Sequence, residues 1–209
     1  MFRRNKIATS TATETSVALD AIHQNEWIIM NIKNHFELMA YYNRRLNKQV
    51  YEAASNLDSN TLTKDSGAYF KSILGTLNHI LVGDLIWLNR FSNHSSSFIS
   101  LNKLSNYETP KNLDDILHQD FGQLRNVRSE VDHIIITWAT SEAEQADYMR
   151  TFNYTNTMGL SASRNFGELV SHFYNHQTHH RGQVSTLLNQ LGYDIGVSDF
   201  LIDIPDVRL

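Results

Sequence analysis

Three histidines fall within six positions of NHQTHHRGQ, residues 175 to 183. Two of them, His176 and His180, are four residues apart. On a helix that spacing puts two imidazoles on one face, close enough to share a metal ion. Neutral imidazole suits zinc, nickel, copper or iron. Nothing about helix building asks for histidine here, because its propensity lies below that of Ala or Leu. The competing reading is a pair of buried histidines satisfied by carbonyls or by each other, since an unpaired buried imidazole is costly.

Helical geometry separates the three rings. Leu169, Phe173, Val184, Leu187 and Leu191 share a narrow apolar stripe. With His176 as zero, that stripe centres near about +45°, with His180 on its centre line at about +40° and His176 at its edge. His172 and His179 fall on the flank, at about −40° and about −60°. Two histidines are therefore expected to interrupt the apolar face, with His179 turned away.

A catalytic metal site takes about three protein ligands and an open position. The other histidines with readable surroundings differ widely. His94 sits among serines and His23 in the polar start, so both read as solvated. His118 and His133, beside Asp120 and Asp132, read as exposed, and His35 has no assignable direction. His79 lies in TLNHILVGDLIW, with Gly75 and Gly83 a turn away on either side. Yet the main stripe of that helix (Ile73, Leu77, Asp84, Leu88) faces away from His79, so a core role for it requires a helix buried on both faces.

The elements that must carry these residues are helical. The 209 residues contain two prolines, Pro110 and Pro205, and long stretches with helical periodicity. A first helix is expected over Asp20–Asn56, with a break near Asn31–Asn34, then a loop over 57–67. A second, apolar almost all round, is expected over Tyr69–Phe91. SNHSSSF (92–98) reads as a loop. A third helix should start at Thr109–Pro110, or at Asn112 with Asp115, and run to Trp138. Residues 148–159 read as a loop or a short hairpin. Asn165 with Glu168 resembles a capping box for a fourth helix, which Gly192 should stop. Four long helices imply an all-α four-helix bundle.

Composition narrows the function classes. A chain of this length buries roughly 70% of its unfolded surface and needs neither disulfides nor metal merely to fold. It has no cysteine, so disulfides, thiolate ligands and a cysteine nucleophile are excluded, and any thiol chemistry must use an external thiol. The 18 basic and 22 acidic residues give a net charge of −4 without long single-sign blocks, which argues against nucleic acid as a partner. The apolar runs are too short for a membrane span, and a cytoplasmic protein is expected. The start MFRRNKIATSTAT is basic and Ser/Thr-rich like a transit peptide, but without an amphipathic apolar face it reads as a frayed extension.

The long segments SILGTLNHILVGDLIWLNRF (72–91) and SHFYNHQTHHRGQVSTLLNQLGYD (171–194) resemble the DinB family of metalloproteins, within the DinB/YfiT-like superfamily. HFELMAYYNRRLNKQVYEAASNL (35–57), YTNTMG (154–159) and SDFLI (198–202) are similar to that family's first helix, connecting segment and closing residues. The resemblance covers 35–209 and leaves 1–34 as an N-terminal extension. It implies a four-helix bundle of the DinB/YfiT-like type, often homodimeric, with a divalent metal, nickel or zinc, on three histidines. Those positions are His79, His176 and His180; His79 enters the set through the resemblance alone. The better-characterised relatives in the superfamily are metal-dependent enzymes that use low-molecular-weight thiols, as S-transferases or isomerases. Most DinB-like members have no established activity.

Two functions follow. One is a metal-dependent enzyme, an S-transferase or hydrolase acting on a small molecule, with water or an external thiol in the open position. Asp84, Asn175 and Arg181 are then candidates to support the ligands or hold substrate. The bland readings are a helix–helix hydrogen bond for Asp84 and a surface ion pair for Arg181. The other function is a non-catalytic, stress-associated metal-binding bundle in which the ion pins two helices together.

Overall fold

A computed structural model describes residues 31–206. The basic start, His23 and the expected helix start at Asp20 lie outside the described residues. From Ile32 onward the chain belongs to one compact unit. Its long helices are α1 (Ile32–Ala54), α2 (Ile73–Phe91), α3 (Phe121–Thr137) and α4 (Phe166–Gln190). α1 packs against α3 and α4, and α2 packs against α4. The chain is mostly helical rather than strictly all-α, because β1 (Thr151–Thr155) and β2 (Ser161–Asn165) form an antiparallel hairpin. No helix among the described residues is long and apolar enough to cross a membrane.

Local capping explains where each helix begins. α2 starts at Ile73, not at Tyr69, because the Ser72 hydroxyl accepts from the Gly75 amide and satisfies one of the free first-turn donors. The residues before it close a tight turn, with Lys71 at φ 66°. α3 starts at Phe121, later than expected, with Asp120 accepting from the Gln123 amide. The earlier candidate lacks its cap, because the Asn112 side chain donates through Nδ2 to Asp115 instead of accepting from the Asp115 amide. The Asp115 carboxylate accepts from the amides of Lys111 and Asn112, which closes a turn.

Other short elements were not apparent from periodicity. Within the expected loop 57–67, Ser59–Thr63 is a helical turn capped by Asp58. Ile99–Asn106 is 3₁₀-helical, and α3 runs on into a π-helical turn at Trp138–Glu142.

The hairpin sets the entry to α4. Thr151 pairs with Asn165 and Thr155 with Ser161. Asn165, the last hairpin residue, is also the cap of α4, accepting from the Glu168 amide. At the far end Gly192 takes φ 86°, and the Tyr193 and Gly192 amides donate to the Leu188 and Asn189 carbonyls. That Schellman closure is the expected stop.

An aromatic core holds this end of the structure. Phe91, Trp138, Phe166 and Phe173 are fully buried, with Phe91 edge-on to Phe166 at 5.1 Å and to Phe173 at 6.0 Å. Each such side chain contributes about 1.5–3 kcal/mol from burial. His94, expected in solvent, instead stacks on Phe166 at 3.9 Å, and its Nε2 lies 3.0 Å from the Asp147 carbonyl.

Candidate metal centre

α2 is buried on nearly every side from Ile73 to Leu85. This is the condition under which His79, opposite the main apolar stripe, can still be an interior residue. It is 5% exposed. Two glycines make the packing possible. A Cβ on Gly83 would stand 2.6 Å from His176 Cε1, so α4 can bring His176 against α2 only where no side chain intervenes. A Cβ on Gly75 would stand 2.2 Å from the Phe70 carbonyl oxygen, so the turn before α2 also depends on a bare position. That turn lays the Phe70 ring flat on His79, centroids 3.6 Å apart, and edge-on to His180.

Three imidazoles converge here. His79 Nε2 lies 3.0 Å from His176 Nε2 and 3.1 Å from His180 Nε2. The potential ligand atoms of all three residues fall within 4.8 Å of one another, so the group could hold a metal ion.

Hydrogen bonding on the far side of the rings fixes their tautomers. The Leu113 carbonyl can only accept, so His79 Nδ1, 2.7 Å away, carries the proton and donates. His180 Nδ1 donates likewise to Gln183 Oε1 at 2.8 Å, while the Gln183 amide nitrogen faces His179 Nε2 at 3.3 Å. In the neutral rings both Nε2 atoms are therefore bare. Two lone pairs face each other at 3.1 Å with no proton between them. A neutral His176 has one proton and can satisfy at most one of them.

Protonating the cluster is not an easy escape. Burial, followed by the neighbouring rings, lowers His176 to about 3. Burial likewise lowers His79, against the pull of the Leu113 carbonyl. It lowers His180 too, against the Gln183 hydrogen bond. A divalent cation fits such a donor set. At metal–nitrogen bonds of about 2.0–2.1 Å, tetrahedral ligands sit about 3.3 Å apart and right-angled ones about 2.9 Å. The observed 3.0 and 3.1 Å lie between these values.

The other candidate residues are placed elsewhere. His179 and Asn175 are exposed on the outer face of α4, and His172 packs edge-on to Trp87 at 5.3 Å. Arg181 is not a surface ion pair. It is 3% exposed, with its guanidinium donating to Asn43 and to Asn47 of α1. Asp84 is fully buried and accepts from Arg128 of α3, a helix–helix contact.

The buried face of α4 is rotated away from the apolar stripe that periodicity predicts. The centre of the buried face of α4 holds Gln177, Arg181, Val184 and Leu188, whereas Leu191 is exposed. His176 and His180 lie on the rim of that face, half-buried, rather than in its middle. Polar core residues moved the face away from where an apolar stripe places it. Phe70, Leu113 and Gln183 carry no obvious mark of the site in the sequence. Gln183, three residues after His180, had a readable helical spacing. A backbone carbonyl such as that of Leu113 leaves no sequence signal.

Beside the site lies a cavity of about 500 Å³ whose lining includes Tyr69, Phe70, Leu113 and Asp114. A second, of about 620 Å³, shares Leu113 and Asp114 and adds Arg90 and Lys111.

A largely helical chain whose three imidazoles converge between two packed helices is a candidate metalloprotein. This chain belongs to the DinB family, whose model matches residues 30–205. It is similar to Protein DinB of Bacillus subtilis (strain 168), with 24% identity over 161 residues, covering 76% of this chain and 87% of that protein. No solved structure matches it.

Proposed function

We propose that this protein is a metal-dependent enzyme, and that His79, His176 and His180 hold a divalent ion, nickel or zinc. The observation that carries the reading is the pair of bare nitrogens, His79 Nε2 and His180 Nε2, facing each other at 3.1 Å. Their protons are held outward by Leu113 and Gln183, as in metal sites where outer partners orient the ligands. Three protein donors leave room for a further ligand, the pattern of catalytic rather than structural sites. Such an ion, when bound, lowers the pKa of a coordinated water or thiol toward neutrality.

The rest of the site is work for the chain itself. Phe70 covers one face of His79 and limits water there. The adjoining cavities offer a small substrate both apolar wall and charge, the latter from Lys111, Arg90 and Asp114. With no cysteine in the chain, a thiol substrate would be an external low-molecular-weight one, consistent with S-transfer; hydrolysis is the corresponding reaction with water. The same reading takes the four long helices as a bundle of the DinB/YfiT-like type spanning 35–209, in a cytoplasmic homodimer.

Metal analysis of the purified protein and four variants tests the assignment. One ion per chain is expected in the wild type and in His179→Ala, and none in His79→Ala, His176→Ala or His180→Ala. Retention of the ion in His180→Ala, or equal loss in His179→Ala, defeats the ligand assignment. A screen of the metal-loaded protein for thiol transfer onto electrophiles then separates an enzyme from a bundle merely pinned by metal.

A further inference from the structure

On α1 and α3, away from the histidines of α2 and α4, a cavity of about 250 Å³ opens. Four of its lining residues, Asn47, Tyr51, Arg128 and Asp132, are almost wholly buried. Arg128 donates through Nη1 to Asp84 and pairs through Nη2 with Asp132 at 2.9 Å, but its Nε has no hydrogen-bond partner. Tyr51 stacks on Phe121 at 5.6 Å, and its buried hydroxyl is also without a partner. Burial pushes that hydroxyl well above its ordinary range, so it stays protonated and can donate. Both atoms, the Arg128 Nε and the Tyr51 hydroxyl, have almost no accessible surface, so they sit beneath the cavity wall rather than open to it.

Three exposed cations also line the cavity: Arg44, Lys48 and Arg125. Lys48 has a loose partner in Glu52 at 3.8 Å. No carboxylate pairs with Arg44 or Arg125 among the described residues, although the chain as a whole is acidic. The other lining carboxylate, Asp132, is already engaged by Arg128 and by the Asn47 amide at 2.8 Å. Four cationic and two anionic side chains thus border the cavity.

We propose that this cavity is an anion site for a small phosphate-bearing molecule, held by Arg44 and Arg125. Phosphate suits it better than a carboxylate, because three terminal oxygens can serve more of these donors than two. The cavity is larger than the phosphate group alone, which leaves room for a short ester substituent. The site does not depend on the metal reading, since it shares no residue with the histidine cluster.

The test is calorimetric titration of the purified full-length protein with inorganic phosphate in chloride buffer, with acetate in parallel and amide NMR shifts to locate binding. Saturable one-to-one phosphate binding is expected, shifting residues 44–52 and 125–132, with acetate roughly tenfold weaker. Arg44→Gln and Arg125→Gln should each weaken phosphate binding roughly tenfold, the loss of one charge-assisted hydrogen bond. Both variants alter exposed side chains and leave the core untouched. Absence of saturable binding would overturn the proposal. So would equal binding of acetate, or phosphate affinity unchanged by Arg44→Gln and Arg125→Gln, which would place the anion elsewhere.

Discussion

Gly83 of α2 and His176 of α4 face each other so closely that a Cβ on the glycine would stand 2.6 Å from the imidazole Cε1. The three-ring cluster therefore depends on a missing side chain as much as on the histidines themselves. Gly83→Ala should displace the His176 ring and weaken metal binding about 10–100-fold, the range seen when outer contacts of a ligand are altered. Folding stability should change little, because the helix-propensity gain of about 1 kcal/mol offsets crowding. Competition with a chelator measures the first quantity and urea denaturation of the metal-free protein the second. Unchanged affinity would mean that His176 can reposition freely.

Gln183 aims the His180 ring. Replacing it with Leu removes the acceptor for the Nδ1 proton, leaving both the tautomer and the ring angle unconstrained. Metal affinity should fall at least about tenfold in Gln183→Leu, whereas Gln183→Glu, which keeps an acceptor, should retain it. Loss in both variants would point to a packing role for Gln183 instead.

The turn carrying Phe70 rests on Gly75. In Gly75→Ala the new Cβ would meet the Phe70 carbonyl oxygen at 2.2 Å, and backbone cannot rotate aside as a side chain can. A cost of about 1–3 kcal/mol in unfolding free energy is expected, as for overpacking elsewhere. The same variant should expose His79 to faster diethylpyrocarbonate modification. A stability unchanged or raised would show that the turn is not anchored at this contact.

Asp84 and Arg128 form a buried pair between α2 and α3. Burial raises the Asp84 carboxyl to about 7 in spite of Arg128, so the pair is best examined at pH 8, where the carboxylate is ionised. Asp84→Ala should cost about 3–5 kcal/mol there, because a guanidinium loses half of its counter-charge in a dry setting. Asp84→Asn, which keeps the shape and one acceptor, should cost less. Equal losses would mean that volume rather than charge matters at this position.

His94 gives a pH signature away from the metal cluster. Burial against Phe166 lowers its pKa below the usual 6.5, so the folded protein favours the neutral ring. The unfolded chain takes up a proton as pH falls through 6.5 and the folded one does so only lower down. The stabilisation is thus complete above 6.5 and is lost as pH falls through the folded pKa. Thermal unfolding of His94→Gln should show a shallower decline between pH 7 and 5 than the wild type. Parallel profiles would show that the ring titrates normally in the fold.

Much of this protein is set by local rules that a sequence carries by itself. His176 and His180 share a side of α4 because a four-residue step is about one helical turn. Asn165 and Gly192 bound that helix because one supplies a capping oxygen and the other tolerates φ 86°. Where a cap competed with a similar motif nearby, as Asp120 did with Asn112 and Asp115, pattern alone chose wrongly. At the rejected start the Asn112 side chain donates to Asp115 instead of accepting from a first-turn amide.

Only the packed structure decided what surrounds those histidines. Arg181 occupies the centre of the buried face because its guanidinium donates to Asn43 and Asn47 of α1, whereas a helix read alone treats it as a surface residue. His79 meets the other two rings because Gly83 lets α2 and α4 close on each other. Its proton points outward because a backbone carbonyl from residue 113 happens to lie behind it. Spacing along one helix is a matter of bond geometry and is present in the sequence. Convergence between helices depends on how side-chain volumes and buried charges settle against one another, and that exists only in the folded chain.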